Sequence, residues 1–236
     1  MLAFRNCAEL GYRHIETDLH ETSDRRFVCF HDPTLERTTD GRGNLRDYPL
    51  AELQRLDAGY HFLEDGSYAF RHAGVRIPTL EEALEADPTL HYNLEIKPND
   101  PTLTRRLWEL IEHHGIYDRV LVASEHDEVT EAFRRHSRGR VATSAGRKSA
   151  LRFWAHALAG LSRHAMYAFD ALQIPTTFRG MKLITPRFVD AAHRHGLQIH
   201  VWTIDDPGEM HELAAAGVDG IMTDFPDILL EVLAEH

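Results

Sequence analysis

Five side chains in three short stretches carry the reactive chemistry of this sequence. They are the carboxylates of Glu16 and Asp18 in Glu16-Thr-Asp18, the imidazole of His31 in His31-Asp32, and Glu95 and Lys97 in Glu95-Ile-Lys97. Side chains alternate across an extended strand, so Glu16 and Asp18 point the same way, as do Glu95 and Lys97. Carboxylates converging at strand ends repel one another unless a cation lies among them, and an all-oxygen set favours a hard divalent cation, Mg²⁺ or Ca²⁺, over zinc. An isolated Glu-x-Asp is more often part of a surface salt bridge, and context is what lifts this one. His31 closes the apolar run Phe27-Val-Cys-Phe30 and is followed by Asp32 and Pro33, placing an imidazole where a strand gives way to a loop. In a parallel barrel that end is the catalytic face. Imidazole moves protons near neutral pH, and the Lys97 ammonium can balance a phosphate oxygen. These are the parts needed to hold a cation and cleave a phosphate ester.

The elements expected to carry these groups alternate along the chain. In the second half a strand-like Ala171-Leu-Gln-Ile174 precedes a helix from Pro186, a strand over 198–203, a helix from Pro207 and a strand over 220–223. Such alternation implies parallel strands joined by crossover helices. Thr185-Pro186 and Asp206-Pro207 each place a capping side chain before a proline at the first helical position, and Glu209 completes a capping box with Asp206. Gly196 and Gly217 follow the last helical turns. In the first half, residues 2–10 read as a helix closed by Gly11, 14–20 and 27–31 as strands, and Thr79-Leu-Glu-Glu82 as a capping box opening a helix. Residues 92–97, 120–124 and 140–143 add strands, with helices near 102–114, 126–136 and 149–163. Between Asp32 and Pro78 the rhythm breaks into a polar excursion, read as an insertion of about residues 33–77 after a barrel strand. At 236 residues the chain has the size of one eight-fold barrel domain, although only about seven parallel strands are visible.

Composition narrows the function classes. A formal net charge of -11 argues against a general nucleic-acid binder, so an anionic substrate must be met by a local positive site. Cys7 and Cys29 are the only cysteines and sit in no metal or redox pattern, which makes both small apolar packers. Most of the 17 histidines lie in arginine-rich helical stretches such as His193-Arg194-His195 and read as solvated surface, His31 excepted. No apolar run approaches a membrane span and residues 1–11 lack the apolar core of a signal peptide. A cytoplasmic address is therefore expected, subject to any segment upstream of Met1.

The run Leu2-Ala-Phe-Arg-Asn-Cys-Ala-Glu-Leu-Gly-Tyr-Arg-His-Ile-Glu16-Thr-Asp18, then Val28-Cys-Phe-His31-Asp32-Pro-Thr-Leu-Glu-Arg37-Thr-Thr-Asp-Gly41, resembles the glycerophosphodiester phosphodiesterases. Ile77-Pro-Thr-Leu-Glu-Glu82, Asn93-Leu-Glu95-Ile-Lys97, Val201-Trp202-Thr-Ile-Asp205 and Gly217-Val-Asp-Gly-Ile-Met-Thr-Asp224-Phe-Pro226 follow in family order, so the resemblance covers essentially the whole chain. It implies a (β/α)8 TIM barrel of the phospholipase C-like phosphodiesterase type, with a small insertion after the second strand. It also implies that Glu16, Asp18 and Glu95 bind the metal, that His31 is one of two catalytic histidines, and that Lys97 contacts the phosphate. Trp202 would line the substrate cleft; read from its strand alone it is as readily a core aromatic. The implied reaction yields glycerol phosphate and an alcohol, within phospholipid and glycerol metabolism. In it a glycerol hydroxyl attacks phosphorus, and water opens the cyclic intermediate. Asp224 is expected to cap the last helix, and Arg37 to be either a phosphate contact or part of the insertion.

Relatives open with a strand ending in His-Arg-Gly and a loop containing Pro-Glu-Asn-Thr. Neither stands before Met1, so the resemblance implies a missing first strand, with the other catalytic histidine, its neighbouring arginine and a loop glutamate near the metal. The expectation is that Met1 is internal to a longer product. Three readings follow: a phosphodiesterase acting on small glycerophosphodiesters such as glycerophosphocholine or glycerophosphoethanolamine, a lysophospholipase D acting on a lysophospholipid, and a non-catalytic truncated barrel. Ser124-Glu125-His126 stands where relatives often carry Ser-Phe, which leaves the alcohol side of the cleft open. A divalent-metal sugar isomerase needs more metal-binding histidines at strand ends than this sequence offers.

Overall fold

Leu2–Glu9 forms helix α1, and the chain turns out of it at Gly11, whose φ of +96° is a conformation that only glycine adopts without strain. The computed structural model describes residues 1–63 and 66–235, which fall into two units, Met1–Leu103 and Thr104–His236. In the first unit, strand β1 (His14–Glu21) buries Ile15, Thr17 and Leu19 on one face and turns Glu16 and Asp18 to the other, as period-two alternation requires. Strand β3 (His91–Ile96) lies parallel to it, with Glu16 opposite Asn93 and Asp18 opposite Glu95. Tyr92, Leu94 and Ile96 are buried, and the Tyr92 hydroxyl donates to the Ala83 carbonyl of helix α3 (Leu80–Ala86) at 2.5 Å. The capping box predicted at the start of α3 is complete: Thr79 Oγ1 accepts from Glu82 N–H, and the Glu82 carboxylate accepts from Thr79 N–H.

Strand β2 (Phe27–Cys29) differs from the expectation of another strand in the parallel rhythm. It pairs antiparallel with the end of β1, Leu19 opposite Cys29 and Glu21 opposite Phe27. The reason is contour length. The segment 22–26 is too short for a crossover and closes as a tight turn instead, with Thr22 N–H donating to Arg26 O at 3.0 Å and Arg25 at φ 63°. The excursion that follows has its own apolar cluster, in which Leu35, Leu45, Leu53 and Ile77 pack with Val28 of β2. Within it lie a 3-10 turn, Leu45–Asp47, and the short helix α2 (Leu50–Leu53).

The second unit repeats strand and helix. Its elements are α4 (Leu103–His114), β4 (Val120–Ala123), α5 (Asp127–Ser137), β5 (Ala142–Thr143), α6 (Arg147–Ala159) and β6 (Ala171–Ile174). After a small antiparallel hairpin of β7 (Thr177–Phe178) and β8 (Met181–Lys182) come α7 (Pro186–Arg194), β9 (Gln198–Val201), α8 (Pro207–Ala216), β10 (Gly220–Ile221) and α9 (Pro226–Ala234). The β4–β5, β6–β9 and β9–β10 pairings are all parallel, as the alternation predicts. Thr185 and Asp206 cap their helices by accepting from Phe188 N–H and Glu209 N–H. The box predicted at Asp206 closes on one side only, because the Glu209 carboxylate takes the Thr176 hydroxyl at 2.8 Å. Asp224 does not cap α9. Phe225 stands at that position without a side-chain bond, and the Asp224 N–H donates to Asp205 Oδ1 at 3.0 Å. Among the described residues no helix is long and apolar enough to cross a membrane.

Candidate active site

The parallel register of β1 and β3 stacks functional side chains in layers on one face. From the strand starts to their ends run His14 beside His91, Glu16 beside Asn93, and Asp18 beside Glu95, with His20 and Lys97 beyond. The first pair is in contact, with imidazole centroids 4.9 Å apart. Burial, and then the neighbouring His91, holds the His14 pKa below the ordinary histidine value. Glu16, Asp18 and Glu95 each offer one carboxylate oxygen, and these atoms lie within 4.8 Å of one another. The Lys97 ammonium reaches two of these carboxylates, Asp18 Oδ1 at 3.0 Å and Glu95 Oε1 at 3.2 Å. Burial pulls the Lys97 pKa down, but the charges of Glu95 and Asp18 outweigh it and leave the group above the ordinary lysine value.

The donor set fits a hard divalent cation. All three converging groups are carboxylate oxygens, and Asn93, facing the same side beside Glu16, has both carboxamide atoms buried with no hydrogen-bond partner. Such a donor and acceptor suit the water of a hydrated ion. Asn93 entered the sequence reading only as part of a family motif. Its spacing of two from Glu95 is the signal that places it on this face.

His31 emerges beyond β2 with its side chain 61% exposed. Its Nδ1 lies 2.6 Å from Asp32 Oδ1, and Asp32 in turn accepts from Arg37 Nε and Nη2 at 2.5 and 2.9 Å. Arg37 is thus partnered to Asp32 from within the insertion. His20, which sequence reasoning passed over, is buried and its Nε2 donates to the His31 carbonyl at 3.1 Å. Desolvation depresses its pKa, more strongly than its bond to His31 raises it. Trp202 belongs to the second unit. It follows the last residue of β9 and is 44% exposed, so it is no core aromatic. Cys29 is buried and Cys7 half-buried, both free thiols.

The sequence matches the glycerophosphoryl diester phosphodiesterase family over residues 1–228. It is 34% identical over 239 residues to the probable glycerophosphodiester phosphodiesterase 2 of Mycobacterium tuberculosis, covering 99% of this chain and 84% of that one. It is 32% identical to the glycerophosphodiester phosphodiesterase of Caldanaerobacter subterraneus, covering 98% and 90% of the two chains. Among solved structures, an Oleispira antarctica phosphodiesterase in complex with the product sn-glycerol-3-phosphate superposes with a TM-score of 0.77 at 26% identity, covering 99% of this chain and 90% of that one. With a family model matching residues 1–228 and relatives 34% and 32% identical over nearly the whole chain, the chain belongs to the glycerophosphoryl diester phosphodiesterase family.

Proposed function

We propose that this chain hydrolyses glycerophosphodiesters to glycerol phosphate and an alcohol, on a single (β/α)8 barrel domain, with Mg²⁺ or Ca²⁺ bound by Glu16, Asp18 and Glu95. One observation carries the reading: three carboxylates and an ammonium meet on one strand face in a chain of this family. A phosphodiester is anionic, and its transition state concentrates further charge on the phosphoryl oxygens. A cation held by Glu16, Asp18 and Glu95 would supply Lewis-acid stabilisation of that charge. Lys97 offers hydrogen bonds to a phosphoryl oxygen. His31 accepts the proton of the attacking hydroxyl at Nε2, the ring nitrogen that does not face Asp32. Trp202 presents an exposed flat wall suited to a glycerol backbone or alcohol head group. The glycerol phosphate held by the Oleispira antarctica relative is the product class this reading expects.

The test is an assay for glycerol phosphate released from glycerophosphocholine and glycerophosphoethanolamine, with a lysophospholipid run in parallel to read the acylated class. Turnover is expected to disappear in EDTA, return with Mg²⁺ or Ca²⁺, and fall about 10²–10⁴-fold in His31→Asn. Glycerol phosphate release that persists under chelation would refute the metal assignment. A chain inert towards every diester with either metal would refute the activity.

A further inference from the structure

The imidazole of His31 is anchored through both its main chain and its ring. The carbonyl of His31 accepts from the buried His20 ring at 3.1 Å, and the preceding N–H, that of Phe30, donates to Asp18 O at 2.9 Å. The ring is held separately, through Nδ1 to Asp32 Oδ1 at 2.6 Å. Arg37 grips both oxygens of Asp32 with Nε and Nη2, a two-point geometry that fixes the plane of the carboxylate as well as its position. The Asp32 side chain is only 18% exposed between partners that are 61% and 62% exposed, which separates it from an ordinary solvated ion pair. The Arg37 bond, opposed by burial and aided by His31, holds the Asp32 carboxyl down to about 2, so it stays ionised at neutral pH.

An ionised carboxylate only accepts hydrogen bonds. The ring nitrogen facing Asp32 must therefore carry the hydrogen, and in the neutral imidazole the lone pair falls on Nε2. Arg37, for its part, is fastened to the insertion. Leu35 N–H donates to Gly43 O at 3.1 Å, and Thr39 donates to the Leu35 carbonyl through both N–H and Oγ1, at 3.1 and 2.7 Å. Leu35 itself is buried in the apolar cluster with Val28 and Leu45.

We infer that Asp32 and Arg37 are positioning residues for His31: the insertion delivers a guanidinium that locks Asp32, and Asp32 locks the imidazole in the tautomer whose Nε2 accepts a proton. This rests on His31 being the proton carrier of the proposed reaction. It gives the insertion a task in the chemistry, and it assigns Arg37 to the imidazole and not to the phosphate.

The experiment pairs histidine side-chain ¹⁵N NMR on the full chain with kinetics. Signals that vanish in His31→Asn identify the His31 ring among the 17 histidines. In the unsubstituted protein the neutral ring is expected to carry its hydrogen on Nδ1. In Asp32→Asn and Arg37→Ala the other tautomer should become populated, and kcat should fall about 10²-fold and about tenfold respectively, at and below the lower end of what one proton-transfer group contributes. KM and the calorimetric affinity for Mg²⁺ should stay within about twofold, because the inference assigns both residues to the imidazole and not to the phosphate or the cation. Arg37→Lys, which keeps the charge but not the fork, should recover only part of the loss. An unchanged tautomer and kcat in Asp32→Asn and Arg37→Ala, with turnover abolished in His31→Asn, would overturn the positioning role and leave the proposed reaction standing. Turnover that survives in His31→Asn would remove the proton-carrier reading and this inference with it. An Arg37→Ala loss appearing in KM alone would move Arg37 to the substrate and overturn the inference.

Discussion

Asp18 and Glu95 share one ammonium, and that sharing decides how the metal-free site behaves. Removing it in Lys97→Met leaves carboxylates facing one another on a partly dry surface, which is expected to lower stability by about 1–2 kcal/mol. Thermal unfolding in EDTA would read this as a lower midpoint, and added Mg²⁺ or Ca²⁺ should raise the midpoint more in the variant than in the parent. Asp18→Asn removes a ligand outright, and calorimetric titration should show cation affinity falling by at least about tenfold. That Glu16 shares a face with Asp18, and Glu95 with Lys97, was legible in the sequence because strand alternation is a local rule; the meeting of the two pairs depends on the β1–β3 register, which alternation does not encode. The pairing of Arg37 with Asp32 was not legible. It depends on how a loop folds back, and no periodicity encodes that.

At the scale of elements, caps and close approaches decide where helices begin. Thr79→Ala removes the side-chain half of a complete capping box and should cost about 1 kcal/mol, measured by chemical denaturation. Gly146, before α6, is set by a neighbour: a Cβ there would meet the Asp127 backbone nitrogen at 2.6 Å, while Asp127 accepts from Lys148 N–H and Ser149 N–H. Gly146→Ala is accordingly expected to destabilise the fold by about 1–3 kcal/mol in the same measurement. Thr79, Thr185 and Asp206 announced their helices because a cap and its partner lie within one turn. Asp224 misled for the same reason in reverse: its neighbourhood looked like a start signal, but Asp205 on another segment took its N–H. The direction of β2 was readable in principle from the five residues that separate it from β1, since no crossover fits in that length.

The whole molecule should lose stability at both ends of the pH scale for identifiable reasons. The Asp32 pKa is lowered from 3.8 to about 2, chiefly by Arg37, so its contribution is present above about pH 4 and is lost as the pH falls through 2. Cys29 is raised from 9.0 to about 12 by burial, so the folded state keeps a proton that the unfolded chain releases. That contribution is complete below pH 9 and is lost between 9 and 12. Melting temperatures across pH should show a flatter acid limb in Asp32→Asn and a flatter alkaline limb in Cys29→Ala. The parallel βα rhythm of the second unit followed from alternation and caps, whereas the internal packing of residues 33–77 did not, since its apolar members are scattered without a period. The β1–β2 hairpin gives the site two different histories. Asp18 and His31 are joined by a tight turn whose closure costs little chain entropy and forms quickly, whereas Glu95 arrives only when strands far apart in sequence find each other. The site therefore has a local half and a distant half. A change that loosens β3 is therefore expected to withdraw Glu95 from the carboxylate group while the β1–β2 turn still holds Phe30, and His31 after it, against Asp18.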